Sequence, residues 1–139
     1  MDHKHAIVVV DPSSHHGEAA IDFAVAAGHR HLTAVVSRSG RAAIALEQYA
    51  ASEEISVREA ADVYLEQLVH RLAARDITAT GMATDALDTA VDLASCVVGA
   101  SATLVALPAV TGHLNHDEVE RASQITGIPV VLVPIPVSV

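Results

Sequence analysis

Two stretches of the chain carry side chains able to do chemistry. In the first, Asp11 ends the run Ile7-Val8-Val9-Val10 and is followed by Pro12-Ser13-Ser14-His15-His16-Gly17. In the second, Gly112-His113 and His116-Asp117 stand late in the chain, with Ser123 a little beyond. Imidazoles with carboxylates suit zinc, nickel or copper, which makes His113 and His116 metal candidates alongside Asp11, His15, His16 and Asp117. Ser13 or Ser14 with a histidine and Asp11 has the residue types of nucleophilic catalysis. That chemistry also needs oriented atoms and an oxyanion hole, and neither a G-x-S-x-G elbow nor a P-loop pattern occurs. The plainer expectation is that the histidines are solvated loop residues and that Asp11 caps the turn into Ser13 and Ser14.

The elements that would position these residues can be read from the periodicity. Ile7–Val10 reads as a strand buried on both faces, and Pro12, lacking an N–H, ends it. Asp11 then sits at the carboxyl end of a central strand, where open α/β sheets place their ligands. Residues 18 to 28 form a helix face through Ile21, Ala24, Val25 and Gly28, with Ser14 as N-cap and Glu18 favouring the positive end. Residues 32 to 36 are the second strand, and 41 to 52 are a short helix or helical loop. Ser56 and Glu59 form a capping box ahead of a helix over 57–75, striped by Ala61, Tyr64, Leu65, Leu68 and Leu72. Residues 77 to 83 alternate as a half-buried or edge strand. Asp85 is expected to cap the next helix, which carries Leu87, Ala90, Val91, Ala94 and Val98 and ends near Gly99. Residues 103 to 107 are the fourth strand. Asn115 followed by Glu118 opens a helix bearing Val119, Ala122 and Ile125, and Gly127-Ile128-Pro129 breaks it before the last strand at 130–133. Strand and helix alternate with no Asn-Gly or Asp-Gly hairpin signal, so the expectation is one α/β domain over 1–139, a three-layer sandwich around an open parallel sheet of five strands.

Composition excludes several functions. The net charge of −9 repels phosphate backbones and anionic lipid, and Phe23, Tyr49 and Tyr64 are the only aromatic residues. Nucleic acid is therefore not an expected partner, because a base-stacking platform has almost nothing to be built from. Nine histidines carry the net charge toward zero by about pH 5. The single Cys96 rules out an intramolecular disulfide framework and reads as a small buried hydrophobe. No apolar run of secretory or membrane-spanning type is present, so the expected location is cytoplasmic. The apolar tail, Pro134 to Val139, cannot be an ordinary central strand and is best covered by a partner subunit.

This order of elements, Asp11 ending an Ile/Val strand, and the closing Gly127-Ile128-Pro129-Val130-Val131-Leu132-Val133-Pro134 together resemble the universal stress protein family. The resemblance implies sheet order 3-2-1-4-5 and dimerisation through the final strand. It also implies, for some members, ATP held by the aspartate after the first strand, a backbone site in the second, and a loop with a Gly-x-x-Gly, nine residues, then Gly-Ser or Gly-Thr. Asp11 matches that aspartate, Val36 lies near the second-strand site, Gly112 is the later glycine of the first pair, and Ser123 is the retained serine. Ala109 and Ala122 stand where glycines would let backbone N–H groups approach phosphate. With that sheet order, the loops after the first and fourth strands part to form a crevice between Asp11 and residues 113–117. The expectation is a non-enzymatic regulatory or scaffold domain without the usual ATP site and with no cofactor, a homodimer through the C-terminal strand and tail that binds either a protein partner or a small ligand in the remnant crevice without triphosphate recognition. Its rivals are an adenine-nucleotide binder or weak ATPase, with ATP or AMP as ligand, and a metal-binding or metal-dependent hydrolytic protein at the histidine crevice.

Overall fold

The strands form where apolar residues run together and, at the rim over 78–84, where small and β-branched residues alternate. In the computed structural model they are β1 (His5–Val9), β2 (His31–Ser37), β3 (Thr78–Thr84), β4 (Leu104–Pro108) and β5 (Val130–Val133). Helices α1 (Ala19–Ala26), α2 (Ile44–Glu53), α3 (Val57–Ala73), α4 (Ala90–Val97) and α5 (His116–Thr126) connect them. The structure describes residues 5–13, 18–38, 40, 43–85, 87, 89–97, 102–109 and 115–134. All pairings are parallel and the order is β3-β2-β1-β4-β5. The expected α/β sandwich with order 3-2-1-4-5 is therefore the observed one.

Each face of the sheet buries its own core. Val8, Val10, Ala34 and Val36 point to the side covered by α1 and α3, where Ile21, Leu65, Leu68 and Leu72 pack on them. Ile7, Val9, Val35, Val105 and Leu107 point the other way, against Leu93 of α4 and Val119 of α5. Side chains of one strand alternate between faces, so strands β1 and β4, covered on both, read as unbroken apolar runs. Each fully buried Leu or Ile contributes about 1.5–3 kcal/mol, which makes these two layers the main source of stability.

The helix ends are set by local chemistry. Ser56 and Glu59 make the expected reciprocal capping box, with the Glu59 N–H donating to Ser56 Oγ at 3.1 Å. Asn115 Oδ1 accepts the Glu118 N–H at 2.9 Å as expected, but the Glu118 carboxylate turns away and accepts the Ala90 N–H of α4 at 2.7 Å. That one side chain ties the starts of α4 and α5 together. Two caps differ from expectation. Helix α4 begins at Ala90, and its cap is Thr89, whose Oγ1 accepts the Asp92 N–H while Asp92 accepts the Thr89 N–H. Asp85 instead pairs with Arg38. Glu18 occupies the N-cap position of α1 without bonding its backbone and reaches across to α3. The expected Ser14 cap and the helix end near Gly99 lie outside the described residues.

Candidate functional site

Asp11 follows β1 at the carboxyl edge of the sheet, only 5% exposed. Its Oδ1 accepts the Ser13 N–H at 2.9 Å, the Asx turn expected where an aspartate and a proline end a strand. Ser13 Oγ in turn accepts the Ala45 N–H at 3.0 Å, so the turn after β1 fastens the first turn of α2. This link spans 32 residues. No local sequence signal announces it, because it depends on where the crossover sets α2 down.

Below that turn, Pro12, Ala45, Leu46, Tyr49, Tyr64 and Gln67 are among the residues lining an open cleft of about 230 Å³ between α2 and α3. Two of the three aromatic residues of the chain meet there. Tyr49 is 41% exposed. Tyr64 is held by its hydroxyl, which donates to Glu18 Oε2 at 2.9 Å. Arg71 Nη1 and Nη2 clamp the same carboxylate at 3.3 and 3.1 Å. Burial, with the charge and hydrogen bond of Glu18 and the charge of Asp11 beyond, pushes the Tyr64 phenol well above its ordinary range. Glu18 holds the Arg71 guanidinium in its charged form by hydrogen bonding. The Tyr64 hydroxyl is therefore a fixed neutral donor, with its ring turned to the cleft. The sequence shows Tyr64 as one more member of an apolar helix stripe, and its polar end gives no signal.

The other expected site residues separate. Val36 is fully buried and pairs with Ala83. The Val10 N–H donates to the Val35 carbonyl and the Arg38 N–H to the Thr84 carbonyl. Alternation along β2 therefore turns the backbone groups of Val36 to β3, within the ladder and away from Asp11. Ser123 lies in the last turns of α5, where its Oγ donates to the Ile128 carbonyl at 2.9 Å, just ahead of β5. A helix descending from the carboxyl edge places that hydroxyl toward the amino edge of the sheet, roughly 10 Å down its axis from His116. The structure does not bring Ser123 to Asp11. His116 is the exposed first residue of α5. Gly112, His113, His15 and His16 lie outside the described residues. Among the described residues, no three His, Cys, Asp or Glu side chains are placed to hold a metal ion. Cys96 is buried on α4, and burial raises its thiol.

A second polar group that the sequence did not single out lies at the amino edge. His5 Nε2 bonds Thr33 Oγ1 at 2.8 Å, and Thr33 Oγ1 is 3.4 Å from Thr80 Oγ1. His29 bridges the Ala24 carbonyl and Thr103 Oγ1, each at 3.2 Å. Burial, then the neighbouring charges of His31 and His29, lowers the His5 pKa.

No protein-family model and no curated protein matches the chain. Among solved structures it is similar to a protein of the universal stress protein family from Burkholderia pseudomallei, with TM-score 0.56 and 19% identity over 97% of each chain. It is also similar to hypothetical protein MJ0577, the subject of a structure-based assignment of biochemical function, with TM-score 0.64 and 13% identity over 99% of this chain and 100% of that one. Hypothetical protein PH0823 matches with TM-score 0.55 and 15% identity over 99% of this chain and 100% of its own. At these identities what is shared is the fold, and the chain has the fold of the universal stress proteins. Among the described residues no helix is long and apolar enough to cross a membrane.

Proposed function

We propose that this chain is a universal-stress-type regulatory or scaffold domain of the cytoplasm that works by binding, without turnover and without the usual ATP recognition. One observation carries the reading. The carboxylate at the ligand-binding edge, Asp11, is buried and bonded back to its own turn, and that turn is locked to α2 through Ser13. An aspartate spent on fastening a crossover is a structural group first. The separation of Asp11 from Ser123, and alanines at 109 and 122 where a phosphate loop needs glycine, support the same reading. The domain acts as a homodimer through β5 and the apolar tail 134–139, or on a protein partner.

The test is a thermal-shift screen with ATP, AMP, cyclic AMP, Mg²⁺ and Zn²⁺. A ligand that binds only the folded state at 100 times its Kd adds about 2.7 kcal/mol, which is readily seen. No nucleotide is expected to shift the transition. An upward shift with ATP that is abolished by Asp11→Ala would overturn the reading, and a shift with Zn²⁺ lost in His113→Ala would replace it with a metal site. For the dimer, the intact protein should show a two-subunit mass that falls when residues 134–139 are removed. A monomer at high micromolar concentration would refute this.

A further inference from the structure

Among the described residues the β3 edge of the sheet is undefended. Proteins usually blunt an edge strand with charge, proline, a bulge or shortness, because its unpaired backbone groups are a template for another strand. Strand β3 has none of these. It is seven residues long, Thr78-Ala79-Thr80-Gly81-Met82-Ala83-Thr84, with no charged residue and no proline, and none of the seven is buried. Met82 is 37% exposed on the sheet face opposite α3. At the other edge, β5 has only four residues and runs into Pro134.

Which backbone groups of β3 point outward follows from its pairing with β2. The Thr78 N–H donates to the Arg30 carbonyl and the Thr84 carbonyl accepts the Arg38 N–H, so the even-numbered residues face β2. Alternation leaves the N–H and C=O of Ala79, Gly81 and Ala83 on the outer side. Among the described residues no strand pairs there. The sequence is also nearly palindromic about Gly81. Threonine stands at both ends, alanine flanks the centre at 79 and 83, and only Thr80 against Met82 breaks the symmetry.

The geometry points to a second copy of this chain as the occupant of this edge, its β3 paired antiparallel about a two-fold axis at Gly81. Because Gly81 is an outward-facing residue, the axis falls on a hydrogen-bonded pair. Gly81 then pairs with Gly81 of the second copy, Ala79 with Ala83, and Ala83 with Ala79, so all the outward groups of both strands are satisfied at once. A shift of register by one residue would set outward groups against inward ones. A shift by two would leave some of them unpaired. The non-hydrogen-bonded pairs are Thr78 with Thr84 and Thr80 with Met82, whose side chains meet on the face that α3 leaves open. Strand β3 itself brings no charged side chain to the contact, and beyond its ends Arg38 pairs with Asp85 and Arg75 with Asp22 of α1. The long-range repulsion of two chains at −9 is screened beyond about 10 Å at 0.1 M salt, so association strengthens with salt. A strand pair alone is smaller than a standard interface, and the dimer dissociates on dilution. This contact is independent of the proposed one at β5: on dilution only the β5 dimer stands, and where both edges engage the mass rises beyond two subunits.

The test is disulfide trapping in full-length protein carrying Cys96→Ser. Thr80→Cys protein mixed with Met82→Cys protein should cross-link on mild oxidation faster than either alone, because position 80 lies opposite 82 and not opposite itself. Met82→Lys, at a position exposed in the monomer, should abolish the β3 contribution to the mass in solution while leaving the circular dichroism unchanged. Removal of residues 134–139 should leave the cross-link intact. Equal cross-linking of each protein with itself would mean another register or a parallel pair and would overturn the proposal. So would loss of the cross-link on tail removal, or no cross-link at high micromolar concentration and raised salt.

Discussion

Gly81 lies close under α3, and Gly81→Ala measures that approach. A methyl group built there would lie 2.8 Å from Leu65 Cβ and 3.2 Å from Leu65 Cγ and Cδ1. The Cγ and Cδ1 contacts can be relieved by rotating the leucine. The Cβ contact cannot, because Cβ moves only with the backbone of α3. Forcing one carbon into a packed layer costs about 1–3 kcal/mol. Gly81 does not have a positive φ, so alanine also lowers the entropy of the unfolded chain and returns about 0.4–1 kcal/mol. The net expectation is a loss of about 1–2 kcal/mol. With an unfolding entropy near 2.1 cal/mol/K per residue over 139 residues, that loss lowers Tm by about 3 to 7 °C. Calorimetry of the variant reads it directly. Leu65→Ala alone should cost about 2–5 kcal/mol, and because it keeps the Cβ at 2.8 Å it does not remove the contact that Gly81→Ala creates. A neutral or stabilising Gly81→Ala would refute the close approach of α3 to β3.

Two further outcomes follow from the polar groups. His5 has its pKa lowered from 6.5 by burial and by facing His31 and His29. The unfolded chain then binds that proton more readily, so stability is full above 6.5, falls as pH drops below it, and levels off below the depressed folded value. Chemical denaturation across this range should show a smaller acid loss for His5→Gln than for the unaltered protein, and an equal loss would refute the role of His5. Tyr64, raised by burial and by Glu18, keeps its proton while an unfolded tyrosine loses it above about pH 10. In a Tyr49→Phe background, tyrosinate absorbance should develop only with unfolding. Tyr64→Phe should cost about 1 kcal/mol, the ordinary net worth of one hydrogen bond.

The central strands β1, β2 and β4 were legible because they are buried on both faces and so carry largely apolar runs, ended by Pro12 and Pro108 or by a polar turn, while β3 shows only the alternation of a strand at the rim. The Asn115 and Ser56 caps were legible because a side chain bonding a backbone N–H three residues on leaves a fixed spacing. Links between elements were not. The bond from Ser13 to Ala45 and the one from Tyr64 to Glu18 join residues 32 and 46 positions apart, and their partners are chosen by how crossovers land. Ser123 is a different case, because the signal that places it was present. Asn115 marks the start of α5, and eight residues beyond a cap is more than two turns down the helix, away from the edge where Asp11 sits. Spacing from Gly112 makes Ser123 resemble the family's phosphate-side serine, whereas helical rise counted from the cap carries it away from the edge of Asp11.

The same distinction explains why the β3 edge escapes a reading of residues alone. The alternation Thr-Ala-Thr-Gly-Met-Ala-Thr marks a strand at the rim and even shows its near symmetry, but not which of its backbone groups are free. That parity is fixed by a partner strand through two bonds, Thr78 to Arg30 and Arg38 to Thr84. Had β2 engaged the odd residues of β3, Gly81 would face inward. A two-fold axis there would then fall between hydrogen bonds and leave Ala79 and Ala83 buried against β2. One residue of register in a neighbouring strand thus decides whether a palindrome in the sequence is also a palindrome of donors and acceptors. In this fold it is both.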